Sequence, residues 1–106
     1  MDDETLILIA YIKNAPTREK VLKSFIDEYF LRPIQISKKL DLHPNAVSKK
    51  LRDLREHDLI YVINPEYKVP RLYRLTDKGK KILKLLDQYE WDRNKDNIWL
   101  FWFETS

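Results

Sequence analysis

Residues 34–60, IQISKKLDLHPNAVSKKLRDLREHDLI, restrict the fold more than any other part of the chain. Ile36, Leu40, Leu42, Val47 and Leu51 are spaced as the crossing residues of two short helices joined by a tight turn, an arrangement that leaves one face of the second helix free. Pro44 suits the start of that second helix, expected over 44–57, because the first helical position has no use for the missing N–H. At roughly 100° per residue, with Val47 set to zero, Leu51 falls at ~40° and Leu54 at ~340°, which defines the buried side. Asn45, Lys49 and Arg52 fall at ~160°, ~200° and ~140° on the same wheel, so an amide, an ammonium and a guanidinium point outward together.

The flanking sequence supplies the rest of a small, mostly α domain. Residues 6–12 are apolar all round and read as a buried helix or a strand; the Asp2/Asp3 start favours helix. After Asn14-Ala15-Pro16, apolar residues Val21, Leu22, Phe25, Ile26 and Tyr29 recur at helical spacing, which predicts a second helix from Thr17 to about Glu28. Residues 59–63 are β-branched and aromatic and 71–75 alternate polar with apolar, as in an antiparallel hairpin around 64–70, where two prolines rule out a tight two-residue turn. Thr76 is placed to cap a last helix carrying Ile82, Leu85, Leu86 and Tyr89.

Composition removes whole classes of function. The absence of cysteine excludes disulfides, thiolate metal sites and a cysteine nucleophile, and the single glycine, Gly79, excludes glycine-rich phosphate loops. The longest apolar run, seven residues over 6–12, is far short of the roughly 20 that span a bilayer and follows acidic residues, so no membrane segment and a cytoplasmic location are expected. His43 and His57 stand 14 positions apart without clustered carboxylates, and no metal site or other cofactor is expected from them; His43 reads as a helix cap or solvent group and His57 as surface. Asp53, Glu56 and Asp58 read as helix-surface partners of Arg52 and Arg55 rather than as an acid–base pair. Nothing resembles a nucleophile with its base, so no enzymatic activity is expected.

Charge is unevenly placed along the chain. Residues 1–31 carry 4 basic and 6 acidic side chains, 32–81 carry 13 and 6, and 82–106 carry 3 and 5, so a basic middle lies between acidic ends. That layout suits one stretch that meets a polyanion, although a solvated lysine-rich surface has the same arithmetic. The outward face of 44–57 decides between them: Asn can be bidentate to adenine, Arg to guanine, and Lys can neutralise phosphate, with His43 and Ser48 as flanking hydrogen-bonding groups. Lys68 in the hairpin loop and Arg71 and Arg74 on the returning strand form a basic arm for backbone or minor groove, against which Glu66 works slightly. Lys38 and Lys39 on the first helix of the pair suit backbone contacts.

With the strings PIQISKKLDLHPNAVSKKLRDLREHDLI and NPEYKVPRLYRLTDKGKKIL in this order, the chain resembles the winged helix-turn-helix transcriptional regulators of archaea and bacteria, broadly of the ArsR and MarR kind, over residues 17–86. The resemblance implies a helix-turn-helix with a β-hairpin wing over 59–75. Asp41 stands where the group usually has a turn glycine, and Asp tolerates the left-handed conformation better than most residues. Thiolate metal sensing, found in some of the group, is excluded here.

The run IWLFWF over 98–103, after a polar stretch over 92–97, must be covered by something. Candidates are the N-terminal helix, a second subunit, a hydrophobic partner, or simple packing within the chain. The expectation from these features is a single winged-helix domain over 1–106, with a core over about 17–90 and extra apolar terminal segments over 1–16 and 91–106. Its function is expected to be sequence-specific recognition of double-stranded DNA as a transcription regulator, with no effector indicated. A homodimer is expected through the termini, with Leu6, Ile9, Leu86, Tyr89, Trp99, Trp102 and Phe103 as anchors. The alternative is a winged helix used as a protein-interaction module in a larger transcription or processing assembly, with RNA binding a weaker third; an interaction module favours an apolar rather than a cationic outward face.

Overall fold

The computed structural model of the protein describes residues 2–68 and 70–87. Helix α1 (Asp3–Lys13) begins where the Asp2 carboxylate accepts the Thr5 N–H at 2.9 Å. Hydrogen bonding from the Thr5 side chain, and next from its N–H, holds the Asp2 carboxyl below its ordinary pKa, so the cap is complete at neutral pH and is lost only as the pH falls through the lowered value. One side of α1 places Leu8, Ile9 and Ile12 in the core. The other leaves Leu6 and Ile7 51% and 68% exposed.

Helix α2 (Pro16–Lys23) stops five residues short of the Glu28 that periodicity predicts. Phe25, Ile26 and Glu28 each donate their N–H to the carbonyl three residues back, and Asp27, at φ 64°, takes the chain out of helical conformation. Phe25 remains buried from this turn, so the apolar spacing persists after the helix has ended, while Ile26 and Tyr29 face outward.

Helix α3 (Pro33–Leu40) ends at Asp41, whose φ of 53° and ψ of 52° are left-handed, as its occupation of a turn-glycine position implied. The Leu42 N–H then bonds to the Ser37 carbonyl at 3.0 Å and turns the chain into α4 (Pro44–Glu56), which starts at the expected proline. Val47, Leu51 and Leu54 of α4 are buried against α2 and α3. They join Val21, Leu22, Phe25 and Ile36 in one core.

The hairpin is antiparallel, with β1 (Ile60–Val62) pairing Ile60 to Leu75, Tyr61 to Arg74 and Val62 to Tyr73 of β2 (Tyr73–Leu75). Leu31 adds a single-residue bridge on the far side of β2, exchanging two 2.9 Å backbone hydrogen bonds with Tyr73. The last helix, α5, is described over 77–87 and starts at the expected Thr76, whose Oγ1 accepts the Gly79 N–H at 2.9 Å. Ile82 and Leu86 seat α5 in the common core.

Gly79 serves close approach rather than an unusual backbone angle. A Cβ there would lie 2.1 Å from the Leu59 carbonyl oxygen, which also accepts the Thr76 N–H at 3.1 Å. Because the obstacle is backbone and holds the root of the hairpin, it cannot rotate aside. Gly79→Ala is therefore expected to lower stability by ~3 kcal/mol, the upper part of the overpacking range. Urea unfolding of the variant checks this; an unchanged midpoint would show that α5 lifts off Leu59 at no cost.

Candidate nucleic-acid interface

Burial of Val47, Leu51 and Leu54 turns the opposite side of α4 to solvent, and Asn45, Ser48, Lys49 and Arg52 are all exposed there. His43 caps the helix, its Nδ1 accepting the Asn45 N–H at 3.1 Å. The cap places Asn45 in the first turn, with its side chain clear of the core.

A groove of about 500 Å³ runs between α4, the start of α3 and the wing. Arg32, Arg52, Arg55, Lys68 and Arg71 line it with Ser48 and Tyr73, and among the described residues no carboxylate does. Five cations around one concave surface, with no acid among them, repel one another unless an anion sits between them. Arg32 and Arg55 did not emerge from the sequence. Arg55 lies only ~80° from Val47 on the wheel, between the buried and outward sides, and becomes part of the site because the wing comes to meet it. Arg32 stands before Pro33 and signals only a helix boundary.

The wing tip is held by one side chain. The Asn64 Oδ1 accepts the Leu72 N–H at 2.8 Å and its Nδ2 donates to the Pro70 carbonyl at 2.9 Å, so a single amide bridges both ends of the loop that carries Lys68. Arg71 follows directly and faces the groove.

Two of the expected contacts point elsewhere. Arg74 stacks on the Tyr29 ring, 4.0 Å from its centroid, and lines a different groove, because Tyr73 and Arg74 are successive strand residues and so face opposite sides. The Lys39 ammonium donates to the Ser24 carbonyl at 3.1 Å and lies 3.8 Å from Glu28, which ties it to the α2–α3 turn. Lys38 is exposed on α3 outside the groove lining.

The acids of α4 are sorted to the other flank. Asp53 pairs with Arg18 of α2 at 3.5 Å rather than with Arg52 or Arg55. Arg18 in turn lies 3.6 Å from the Tyr11 ring centroid and donates to the Tyr11 carbonyl at 2.6 Å. His57, expected as a surface residue, instead stacks on Tyr11 with ring centroids 4.1 Å apart. Burial in this cluster raises the Tyr11 pKa. Glu56 and Asp58 line a separate hollow with Ile7 and Lys78. The wing side of α4 is thereby left cationic.

Of the expected dimer anchors, Leu6 is half-exposed, whereas Ile9 and Leu86 belong to the core of the single chain. Tyr89, Trp99, Trp102 and Phe103 lie outside the described residues. Among the described residues, no group of three or more acids and histidines is placed to hold a metal ion, and no helix is long and apolar enough to cross a membrane.

No family model and no curated protein matches the sequence. Solved structures do match. The chain is similar to Staphylococcus aureus MarR in complex with salicylate and kanamycin, with a TM-score of 0.72 and 20% identity over 85% of this chain and 61% of that one. It is similar to TubR bound to 24 bp of tubC from Bacillus thuringiensis serovar israelensis pBtoxis, with a TM-score of 0.71 and 19% identity over 80% of this chain and 94% of that one. A third match is the MarR family transcription regulator SP03579, with a TM-score of 0.67 and 20% identity, covering 74% of this chain. The chain spans about half of that regulator's length, 53%. The fold is thus the winged helix of MarR-type regulators.

Proposed function

We propose that the protein is a transcription regulator that binds double-stranded DNA, with α4 in the major groove and the wing against the backbone or minor groove. The observation that carries this reading is the groove of Arg32, Arg52, Arg55, Lys68 and Arg71, free of acids among the described residues and continuous with the exposed Asn45, Lys49 and Arg52 side of α4. Its cations supply sequence-independent phosphate attraction, and the amide and guanidinium near the start of α4 supply directional contacts to base edges. TubR, a protein of the same fold, has been solved on duplex DNA. The reading assigns no catalytic chemistry to the chain. A module that docks protein partners through α4 would need an apolar surface where this one is charged.

Titration of duplex DNA at several salt concentrations tests the reading. Arg71→Ala and Lys68→Ala are expected to weaken all sequences alike and to reduce the slope of log affinity against log salt by ~1 each. Asn45→Ala and Arg52→Ala are expected to cost ~1–3 kcal/mol on a preferred site and to relax discrimination at particular base pairs. Arg74→Ala, which removes a cation held on Tyr29, should leave the slope unchanged. Equal effects from Arg74 and Arg71, or no salt dependence at all, would contradict the placement.

We also infer that the DNA-binding form is a homodimer paired through the outer side of α1. One small domain touches few base pairs, and two copies reading half-sites roughly 34 Å apart supply the specificity a genome demands. Leu6 and Ile7 form an apolar strip on the side of α1 that the core does not use. Light scattering at micromolar concentration should give twice the chain mass for the wild type and one chain mass for Ile7→Asp, a substitution at an exposed position that leaves the fold intact. A wild-type monomer would contradict the inference.

A further inference from the structure

The charge that α4 shows to a partner depends on a residue of another helix. By its spacing alone, Asp53 stands one turn beyond Lys49, at ~240° against ~200° on the wheel, where a carboxylate and an ammonium meet on a helix surface. Such a pair would occupy a cation of the outward side. In the structure it does not form. The Asp53 Oδ2 lies 3.5 Å from Nη2 of Arg18 in α2, and among the described residues no carboxylate is within ion-pair distance of the exposed Lys49.

Arg18 is held in place to receive that acid. Its Nη1 donates to the Tyr11 carbonyl at 2.6 Å, its guanidinium carbon lies 3.6 Å from the Tyr11 ring centroid, and its side chain is only 15% exposed. His57 also stacks on the Tyr11 ring, which fixes the platform. A guanidinium held by its face and one nitrogen keeps another nitrogen for a carboxylate, which a lysine ammonium cannot do. Little further rotamer freedom is lost when Asp53 arrives, whereas the exposed Lys49 would have to be ordered for a pairing that is worth a factor of about two. Among the described residues, the Arg18 Nε is buried without a partner, so the pair is a poor device for stability. Its consequence lies on the outward side of α4.

We propose that Arg18 is a positioning residue for nucleic-acid binding, which draws Asp53 toward α2 and so leaves the Lys49 ammonium free for a DNA phosphate. The assignment rests on the DNA reading above and adds to it a residue that itself touches no DNA. Without Arg18, Asp53 turns to Lys49, neutralises it and brings a carboxylate toward the phosphates.

The test is a set of variants of the full chain titrated with duplex DNA of mixed sequence at several salt concentrations, each with and without Lys49→Ala. In the wild type, Lys49→Ala is expected to reduce the slope of log affinity against log salt by ~1. Arg18→Met, which keeps apolar packing on Tyr11, is expected to bind roughly two- to five-fold more weakly, and Lys49→Ala should cost it markedly less because the ammonium is already occupied. Adding Asp53→Asn should restore both the affinity and the full contribution of Lys49. Lys78→Ala, which leaves Glu4 unpaired and changes net charge by the same amount away from this side of α4, is expected to leave the slope unchanged. Circular dichroism and urea unfolding check the fold, and Arg18→Gln, which can still donate to the Tyr11 carbonyl, is read in the same way if the Met variant unfolds.

A second readout needs no DNA. The side-chain resonances of Lys49 should move on Asp53→Asn in the Arg18→Met background and stay still in the wild-type background. Lys49→Ala costing the same factor in every background would overturn the proposal, because a change of net charge alone would then account for the data. Resonances of Lys50 that move in place of those of Lys49 would overturn it too, by giving Asp53 a different partner. A wild type that binds no duplex would overturn the DNA reading and this assignment with it, an outcome distinct from binding that is indifferent to Arg18.

Discussion

Burying Val47, Leu51 and Leu54 against α2 and α3 removes the freedom of α4 to rotate, and every feature of the candidate interface follows from that one orientation. A buried leucine of this kind is worth about 2–5 kcal/mol by truncation, whereas an exposed ion pair contributes about 1 kcal/mol or less, so the apolar stripe and not the charges sets the roll of the helix. Once the roll is set, Asn45, Lys49 and Arg52 have only solvent in front of them. Asp53 comes to face α2, where Arg18, stacked on Tyr11, receives it. The separation of acids from cations along α4 is therefore a consequence of packing. It also explains how a helix that follows each Arg with an acid, Arg52-Asp53 and Arg55-Glu56, can present a single sign of charge on one side.

The wing depends on a second, backbone constraint. Leu59 accepts the Thr76 N–H and lies against Gly79, while the Thr76 hydroxyl donates to the Asp58 carbonyl at 2.7 Å, so the end of α4, the root of the hairpin and the start of α5 are held at one point. Leu31 pairs with the other edge of β2 and joins the start of α3 to the same sheet. Arg32 follows Leu31 directly and Arg71 precedes β2 by two residues, which is how cations from distant parts of the chain come to one groove. Asn64 then holds the loop that carries Lys68. The groove is thus assembled from α3, α4 and the wing by main-chain contacts, with the charged side chains free to meet an anion.

Much of this was legible from the residues alone. The α4 wheel, the proline at its start and the threonine cap of α5 each rest on local chemistry that acts over a few residues, and each is found where expected, while the left-handed Asp41 is what the family resemblance implied. What escaped depends on neighbours distant in sequence. The end of α2 was hidden because Phe25 is buried from a turn and so prolongs the helical spacing. The Leu31 bridge is one residue long and leaves no periodic trace. Arg71 lies two residues before β2 and Arg74 within it, on the side opposite Tyr73, so the two cations part and Arg74 meets Tyr29. Arg55 and Arg32 gain their place only when the wing and α3 approach α4.

The central claim is that packing of α4 presents a base-reading surface to duplex DNA. Selection from a pool of random duplexes at one fixed salt concentration, followed by sequencing of the bound fraction, tests it most directly. The account predicts enrichment of a short motif repeated in inverted orientation about one helical turn apart, with Arg52→Ala blurring defined positions within each half. A bound pool with no enriched sequence, held at the same affinity as the starting pool, would contradict it and leave the cationic groove as a nonspecific polyanion surface.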